Sequence, residues 1–535
     1  MLETNGVPNT KYDFVVLGSG AAGLIAAIRV AQAGYSVAVL EKASRLGGTS
    51  AAGGGVVWAP DNHLMTEHGY EDSMEAAESY ISEATHGVLS AEEARAFVHR
   101  GKDLARFLDD HTHVNYLPLG RPDYKMQLKG AKTGRGLDAQ PFDTGQLPGL
   151  TEALRQPTYF PLITMSERDA LHGQAPDSEI LRERSDKGIR TMGGALIGAL
   201  VLTAHEAGVE FYTNLPAQNI ARVDSQLWEV ETKKTRIRAP QVLIATGGFE
   251  WDEQLRETLL KYPIRPISAP SNEGDGLKLA LKLGAGFAQT SAVWGVPVIS
   301  LPMHQYDGHQ SGRMGNVELT LPGSVMVNRR GHRFVNEAMN YHDLNKVFAS
   351  VDPHDQKLQN LPAWLIFDAV FAQKYSVAGQ KPGVTPQDAV SADSLSELGE
   401  KIGVPSKALV ETIDRFNQFA ETGVDEDFGR GSAPQDRHLG DPTREPNPCL
   451  GEIKSAPFYA LPIHAGVLGT AGGIKVSEHG EVLKHSGEAI DGIYAAGNCS
   501  ETVFKDAYPG GGATLASAMS RSFAVASKVL DELRR

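Results

Sequence analysis

Phe14-Val-Val-Leu-Gly18-Ser-Gly20-Ala21-Ala22-Gly23 is a short apolar run that ends in G-x-G-x-x-G, and its reading decides the fold. Residues 12–17 are predicted as a β-strand, residues 21–33 carry Ala, Leu, Ile and Val at helical spacing, and residues 36–41 form a second β-type run. Strand, glycine turn, helix and strand in such close succession make a βαβ unit, which implies a parallel sheet. The first glycine makes the tight turn, the second lets a pyrophosphate approach, and the third allows helix and strand to pack. The helix N-terminus then favours the anion. Glu41 ends the second strand, where a carboxylate can accept hydrogen bonds from a ribose. A bound dinucleotide is expected.

Beyond this unit, Leu46-Gly-Gly48-Thr49-Ser50-Ala-Ala-Gly-Gly54-Gly55 supplies small residues and hydroxyls a few positions after Glu41. That suits a ligand extending onward as ribityl and isoalloxazine, hence FAD rather than NAD. Two further strands run into small-residue turns: Leu243-Ile-Ala245-Thr246-Gly247-Gly-Phe249 and Gly492-Ile-Tyr-Ala-Ala-Gly497-Asn498. With these, the candidate cofactor residues are Gly18, Gly20, Ala21, Ala22, Gly23, Glu41, Lys42, Gly48, Thr49, Ser50, Gly54, Gly55, Ala245, Thr246, Gly247, Gly497 and Asn498. Ala513, Thr514 and Leu515, which open the last helix, complete the set.

The expected fold is α/β. A two-dinucleotide-binding, Rossmann-like FAD domain with a parallel central sheet spans 1–276 and 450–535, and an α+β catalytic cap, 277–449, is inserted. Helices are predicted at 74–85, 91–110, 192–207 and 513–533, and strands at 209–213, 228–232 and 241–245. The polar stretch 424–448, rich in Gly, Asp and Pro, reads as a linker or crossover. Lys and Arg total 51 against 65 Asp and Glu, and the resulting charge of −14 disfavours nucleic acid and anionic membranes as partners. Two cysteines, Cys449 and Cys499, exclude a disulfide framework. The most apolar stretch, 14–40, is broken by Arg29, Gln32 and glycines and does not read as a transmembrane span. With no secretory signal visible, the cytoplasm is the expected compartment.

The C-terminal part carries further motifs: Asp427-Phe-Gly-Arg-Gly431, Gly440-Asp-Pro-Thr443, Pro446-Asn-Pro-Cys-Leu-Gly451, Ala456-Pro-Phe-Tyr459, Leu468-Gly-Thr-Ala-Gly-Gly-Ile-Lys475 and Ala507-Tyr-Pro-Gly-Gly-Gly-Ala-Thr514. With them the chain resembles the fumarate reductase/succinate dehydrogenase flavoprotein superfamily, and within it the 3-ketosteroid Δ1-dehydrogenase-like branch. The dicarboxylate-binding members place Arg at two contact points and His at a third. Here Tyr341 stands four residues after the Glu of Arg333-Phe-Val-Asn-Glu337, Tyr508 precedes the C-terminal glycines, and Leu468 and Gly469 occupy the His positions. A carboxylate wants a fixed cationic fork, whereas a phenol suits a neutral carbonyl. The bland alternative is that both tyrosines are core aromatics with capped hydroxyls.

The resemblance implies removal of two hydrogens from adjacent carbons beside a ring ketone. Tyr508 and the Gly512 amide would hold the carbonyl oxygen and Tyr341 would take the α-proton. Tyr124, in Arg121-Pro-Asp-Tyr124, is the candidate assisting tyrosine, although Lys125 follows where the family often repeats Tyr. Asp123 is a possible structural neighbour. FAD is expected to be non-covalent, because residues 47–55 contain no His. With one nucleotide fingerprint, reduced FAD is expected to discharge to a quinone or a small redox protein. An apolar ketone is the expected substrate, a 3-ketosteroid first. The alternatives are a smaller cyclic ketone of the cyclohexanone type, an enone reductase running the reverse reaction, and a flavin-binding protein without this catalysis. Trp294 either lines the cleft or packs, Cys499 reads as a small apolar neighbour, and residues 156–165 are expected to be a packed crossover rather than a substrate mouth.

Overall fold

The computed structural model describes residues 2, 4, 6, 8–260 and 262–535. Strand Phe14–Leu17 is buried along its whole length. It pairs in parallel with Val37–Leu40 on one side and Gln241–Ile244 on the other, Phe14 lying opposite both Val37 and Gln241. Glu210–Tyr212 and Ala489–Ala495 extend the sheet in parallel, and Glu481–Leu483 closes one edge antiparallel, giving six strands. Strands covered on both faces need apolar residues at successive positions, and for that reason these read as continuous runs without alternation.

Helix Ala21–Gln32 packs between the last helix, Ala513–Leu533, and Met192–Glu206. The latter is buried from Met192 through Ala204, as its apolar composition on every face requires. The predicted polar helices form at Met74–Ala84 and Ala91–His111. The second opens with a capping box in which Ser90 and Glu93 satisfy each other's amides.

A second sheet of seven strands is organised on the 13-residue strand Phe458–Thr470, which runs antiparallel to Val293–Ile299 and Ala363–Asp368. The chain beyond residue 450 therefore contributes to this sheet before it rejoins the first at Glu481.

The stretch 424–448 is not a loose linker. Asp425 accepts a hydrogen bond from the buried Arg333 at 2.8 Å. Arg430, 1% exposed, donates to the carbonyls of Ser324 and Leu321, and Asp436 accepts from Asn336. Its charged residues are structural, because an interior charge is tolerated when paired and hydrogen-bonded. Those partners lie 92 to 109 residues upstream in the chain, out of reach of a local reading. Among the described residues no helix is long and apolar enough to cross a membrane.

Candidate active site

One large open cavity runs from the turn after the first strand to the start of the last helix. Gly18, Gly20, Ala21 and Ala22 line it at the end of the first strand, followed by Glu41 and Lys42. Gly48, Thr49, Ser50, Gly54 and Gly55 continue the wall, with Ala245, Thr246, Gly247, Gly497, Asn498, Thr514 and Leu515. Two predicted cofactor residues do not reach it. Gly23 packs behind the turn, where a Cβ would lie 2.1 Å from the Gly18 carbonyl oxygen, which is the helix–strand contact the third glycine serves. Ala513 is fully buried in the helix that follows Gly512.

The wall fits FAD. Gly18 has φ 107°, and a Cβ there would meet the Ala245 carbonyl oxygen at 2.3 Å, so the groove is kept open by the absence of a side chain. Helices Ala21–Gln32 and Ala513–Leu533 both start at this cavity without a side-chain cap, so their first-turn amides are available to anionic or electron-rich groups. The Glu41 carboxylate is buried at the end of its strand, accepting from Ser19 N, Ser19 Oγ and Ala43 N. Lys42 is ion-paired with Glu273 and Asp275. Cys499 is buried off the cavity, its thiol pushed up to about 11 by burial, which leaves it a packing residue.

At the far end, Tyr341 and Tyr508 share the cavity with Leu468 and Gly512. The Tyr341 hydroxyl donates to the Tyr508 oxygen at 3.2 Å, and Thr514 Oγ1 donates to the same oxygen at 3.3 Å. The Gly512 amide also acts on it. Gly512 has φ 102°, and a Cβ would stand 2.7 Å from the Val56 carbonyl oxygen, so the position requires glycine. Tyr341 is the first residue of helix Tyr341–Asn345, which Asn340 caps through Asp343 N. Upstream, Arg333 clamps Glu337 at 2.7 Å, so the Arg-Phe-x-Asn-Glu motif is a buried i,i+4 ion pair that fixes the approach to Tyr341.

Tyr124 closes the cluster. Its ring stacks on Tyr508 (centroids 5.5 Å, 16° between planes) and meets Tyr341 edge-on at 5.5 Å. It lines a smaller adjoining cavity rather than the large one, and its buried hydroxyl makes no hydrogen bond of good geometry. Burial pushes all three phenols above their ordinary pKa. Against that shift works Arg121, which touches both cavities and lowers the pKa of Tyr124 and Tyr341 through its charge. Burial opposes the charges of Arg121 and Asp169, yet their bidentate pair (2.6–3.0 Å) keeps both ionised, with His438 also on Asp169. Asp123 is structural: it accepts from Trp58 Nε1 and Arg135 and sits beside Gly510.

Trp294 packs, edge-on to Tyr508 at 5.2 Å and donating to Asn498 Oδ1 at 3.0 Å. The expectation of a packed crossover at 156–165 needs correction, since Phe160 and Met165 line the large cavity beside Val56, Met314 and Leu468. Sequence reasoning also passed over Arg121 and Arg168, both on the wall. Arg121 stood in the quoted Arg-Pro-Asp-Tyr stretch, whereas Arg168 carries no motif signal.

The FAD binding domain family model matches residues 13–515. The chain belongs to the FAD binding domain family. As a member of this family it is an FAD-dependent oxidoreductase with the α/β flavoprotein fold. Within the family it is 38% identical to 4-oxocyclohexanecarboxylate 2-dehydrogenase of Sinomonas cyclohexanicum, over 97% of this chain and 92% of that one. It is 35% identical to 3-oxosteroid 1-dehydrogenase of Mycolicibacterium smegmatis over 96% of each. The solved 3-ketosteroid Δ1-dehydrogenase of Sterolibacterium denitrificans, in complex with 1,4-androstadiene-3,17-dione, superposes with a TM-score of 0.91 at 30% identity, covering 98% of this chain and 100% of that one. A flavocytochrome c3 fumarate reductase shares the fold at 20% identity and a TM-score of 0.65.

Proposed function

We propose that this family member dehydrogenates a ring ketone of the 3-ketosteroid type, forming a C=C bond next to the carbonyl. A proton leaves the carbon beside the carbonyl, a hydride leaves the neighbouring carbon, and the electron pair released by the proton forms the new π bond. FAD, when bound along the glycine-lined groove, supplies the hydride acceptor. The Tyr508 hydroxyl and the Gly512 amide hold the carbonyl oxygen, where negative charge grows as the α-proton departs. Tyr341 takes that proton, and the charge of Arg121 favours its phenolate. Tyr124 packs against both phenols and assists by fixing their orientation. The apolar wall of Val56, Phe160, Met314 and Leu468 receives the ring and excludes water.

The observation that carries this reading is the meeting of the Tyr341 and Tyr508 hydroxyls at 3.2 Å, from segments 167 residues apart, beside the Gly512 amide. The named dehydrogenase relatives support it. A monocyclic ketone is the second reading, favoured by the 38% identical oxocyclohexane dehydrogenase. The same proposal includes a flavin domain of 1–276 and 450–535 with a cap of 277–449, to whose sheet the segment Phe458–Thr470 is lent, a cytoplasmic location, and a quinone or small redox protein as electron acceptor. The test is anaerobic bleaching of the flavin by androst-4-ene-3,17-dione, cyclohexanone and succinate in parallel. Bleaching by the steroid supports the first reading, and bleaching by cyclohexanone alone the second. Reduction by succinate, or by none of them, would refute the assignment.

A further inference from the structure

We infer that the ketone taken by this cavity carries a carboxylate, and that Arg168 holds it. The inference rests on the ring-ketone reading above and concerns a second group on the substrate. Arg168, on helix Met165–Ala170, lines the same cavity as Tyr341 and Tyr508, which Phe160, Met165 and Met314 also line. Among the described residues no carboxylate lies within ion-pairing distance of it. Its contacts are Met165 Sδ at 3.8 Å from Nη1 and the Phe160 ring, whose centroid is 5.8 Å from the guanidinium carbon. The second lies at the outer limit of a cation–ring contact.

Acidic partners were within easy reach. Both neighbours of Arg168 in the sequence are acidic, yet Glu167 pairs with Arg184 and Asp169 with Arg121. Of the three guanidiniums, Arg168 alone is without an acid among the described residues, and it lies, like Arg121, on the cavity wall. Arg313 adds to the imbalance: it has no ion pair among the described residues and lies over the Tyr159 ring at 4.8 Å, its pKa lowered by burial and by the charge of Arg168 against the opposing charge of Glu318. The carboxyl that faces both arginines, Glu318, is fully enclosed and held toward its neutral form by burial. Two cations thus share one buried acid, Glu318, in a chain of net charge −14. A half-buried guanidinium without an acidic partner matches a carboxylate fork, and an anion fixed there would orient the ketone toward the tyrosines.

Such a keto acid could be a single ring, as in an oxocyclohexanecarboxylate, or a ketosteroid with an acidic side chain. Both present the same group, and the test separates them. Flavin reduction would be followed anaerobically with 4-oxocyclohexanecarboxylate, 3-oxoandrost-4-ene-17β-carboxylate and the methyl ester of each. The wild type should prefer one of the acids over its own ester by roughly 10- to 100-fold in reduction rate over Kd, the span of a charge-assisted hydrogen bond. Which acid shows the preference identifies the source. In Arg168→Gln the acid-to-ester ratio should fall to about one, and Arg168→Lys should recover part of it. The bound-flavin spectrum reports that each variant is folded. An ester favoured on both scaffolds, or a ratio that Arg168→Gln leaves unchanged, overturns this inference alone. Failure of all four ketones to reduce the flavin overturns the ring-ketone reading and this inference with it.

Discussion

Replacing Tyr508 with Phe removes one O–H and leaves the ring. The ring's contacts with Trp294 at 5.2 Å, His342 at 5.3 Å and Tyr124 at 5.5 Å remain. The lost hydroxyl accepts two long bonds, from Tyr341 at 3.2 Å and Thr514 at 3.3 Å, so folding should suffer by only about 1 kcal/mol. The kinetic cost should be larger. Tyr508 is 3% exposed, and a donor in a dry site acts most strongly on the charge that grows as the proton leaves. With the Gly512 amide left as the other donor, we expect a loss of about 3 kcal/mol, roughly 150-fold in the rate of flavin reduction. Stopped-flow reduction under anaerobic conditions measures it, with substrate concentration varied to separate rate from binding. The loss should fall on the rate, because the ground-state carbonyl gains less from the donor than the enolate does. A variant within about fivefold of wild type, or one impaired only in binding, would refute the oxyanion role.

Arg121 supplies a pH test. Burial raises the Tyr341 pKa well above 10 and the Arg121 charge lowers it, so the phenolate fraction, and with it the reduction rate, should climb with pH throughout the neutral range. Arg121→Leu removes the lowering influence and should move the profile alkaline by about one unit, with Arg121→Lys moving it less; a profile that stays put or moves acid contradicts this. Glu41→Gln, which weakens acceptance from Ser19 and Ala43 and removes the charge offered to a ribose, should raise the Kd for FAD about tenfold, read by titrating apoprotein with flavin fluorescence. Glu337→Gln breaks the buried clamp with Arg333 and should cost about 3–5 kcal/mol, seen as a clear fall in Tm. An unchanged Tm would mean that the ion pair is dispensable.

The flavin half of the site was legible because its signals are local. The turn at Gly18–Gly23, the acid at Glu41 and the glycines near 247, 497 and 512 each follow a strand or open a helix, and backbone conformation is written in neighbouring residues. The tyrosine pair was legible through motif positions, yet its meeting at 3.2 Å is a fact of the tertiary fold. What escaped the sequence depends on distant partners. Asp425 and Arg430 look like solvated linker charges until Arg333 and the Ser324 carbonyl are seen against them. Phe160 and Met165 look like packing residues until the cavity they line is known. Arg168 lies between two acids, and only the structure shows that both turn to other arginines.

The central claim is that Tyr341 removes the α-proton of a ring ketone whose oxygen Tyr508 and Gly512 hold. Its most direct test is a single anaerobic turnover of FAD-loaded wild type and Tyr341→Phe with a ring ketone, following flavin bleaching and identifying the product. The wild type should form one unsaturated ketone per flavin reduced, and Tyr341→Phe should react roughly 10²- to 10⁴-fold more slowly, the span of a general base. Bleaching of the variant at close to the wild-type rate, or flavin reduction without a new C=C bond beside the carbonyl, would contradict it.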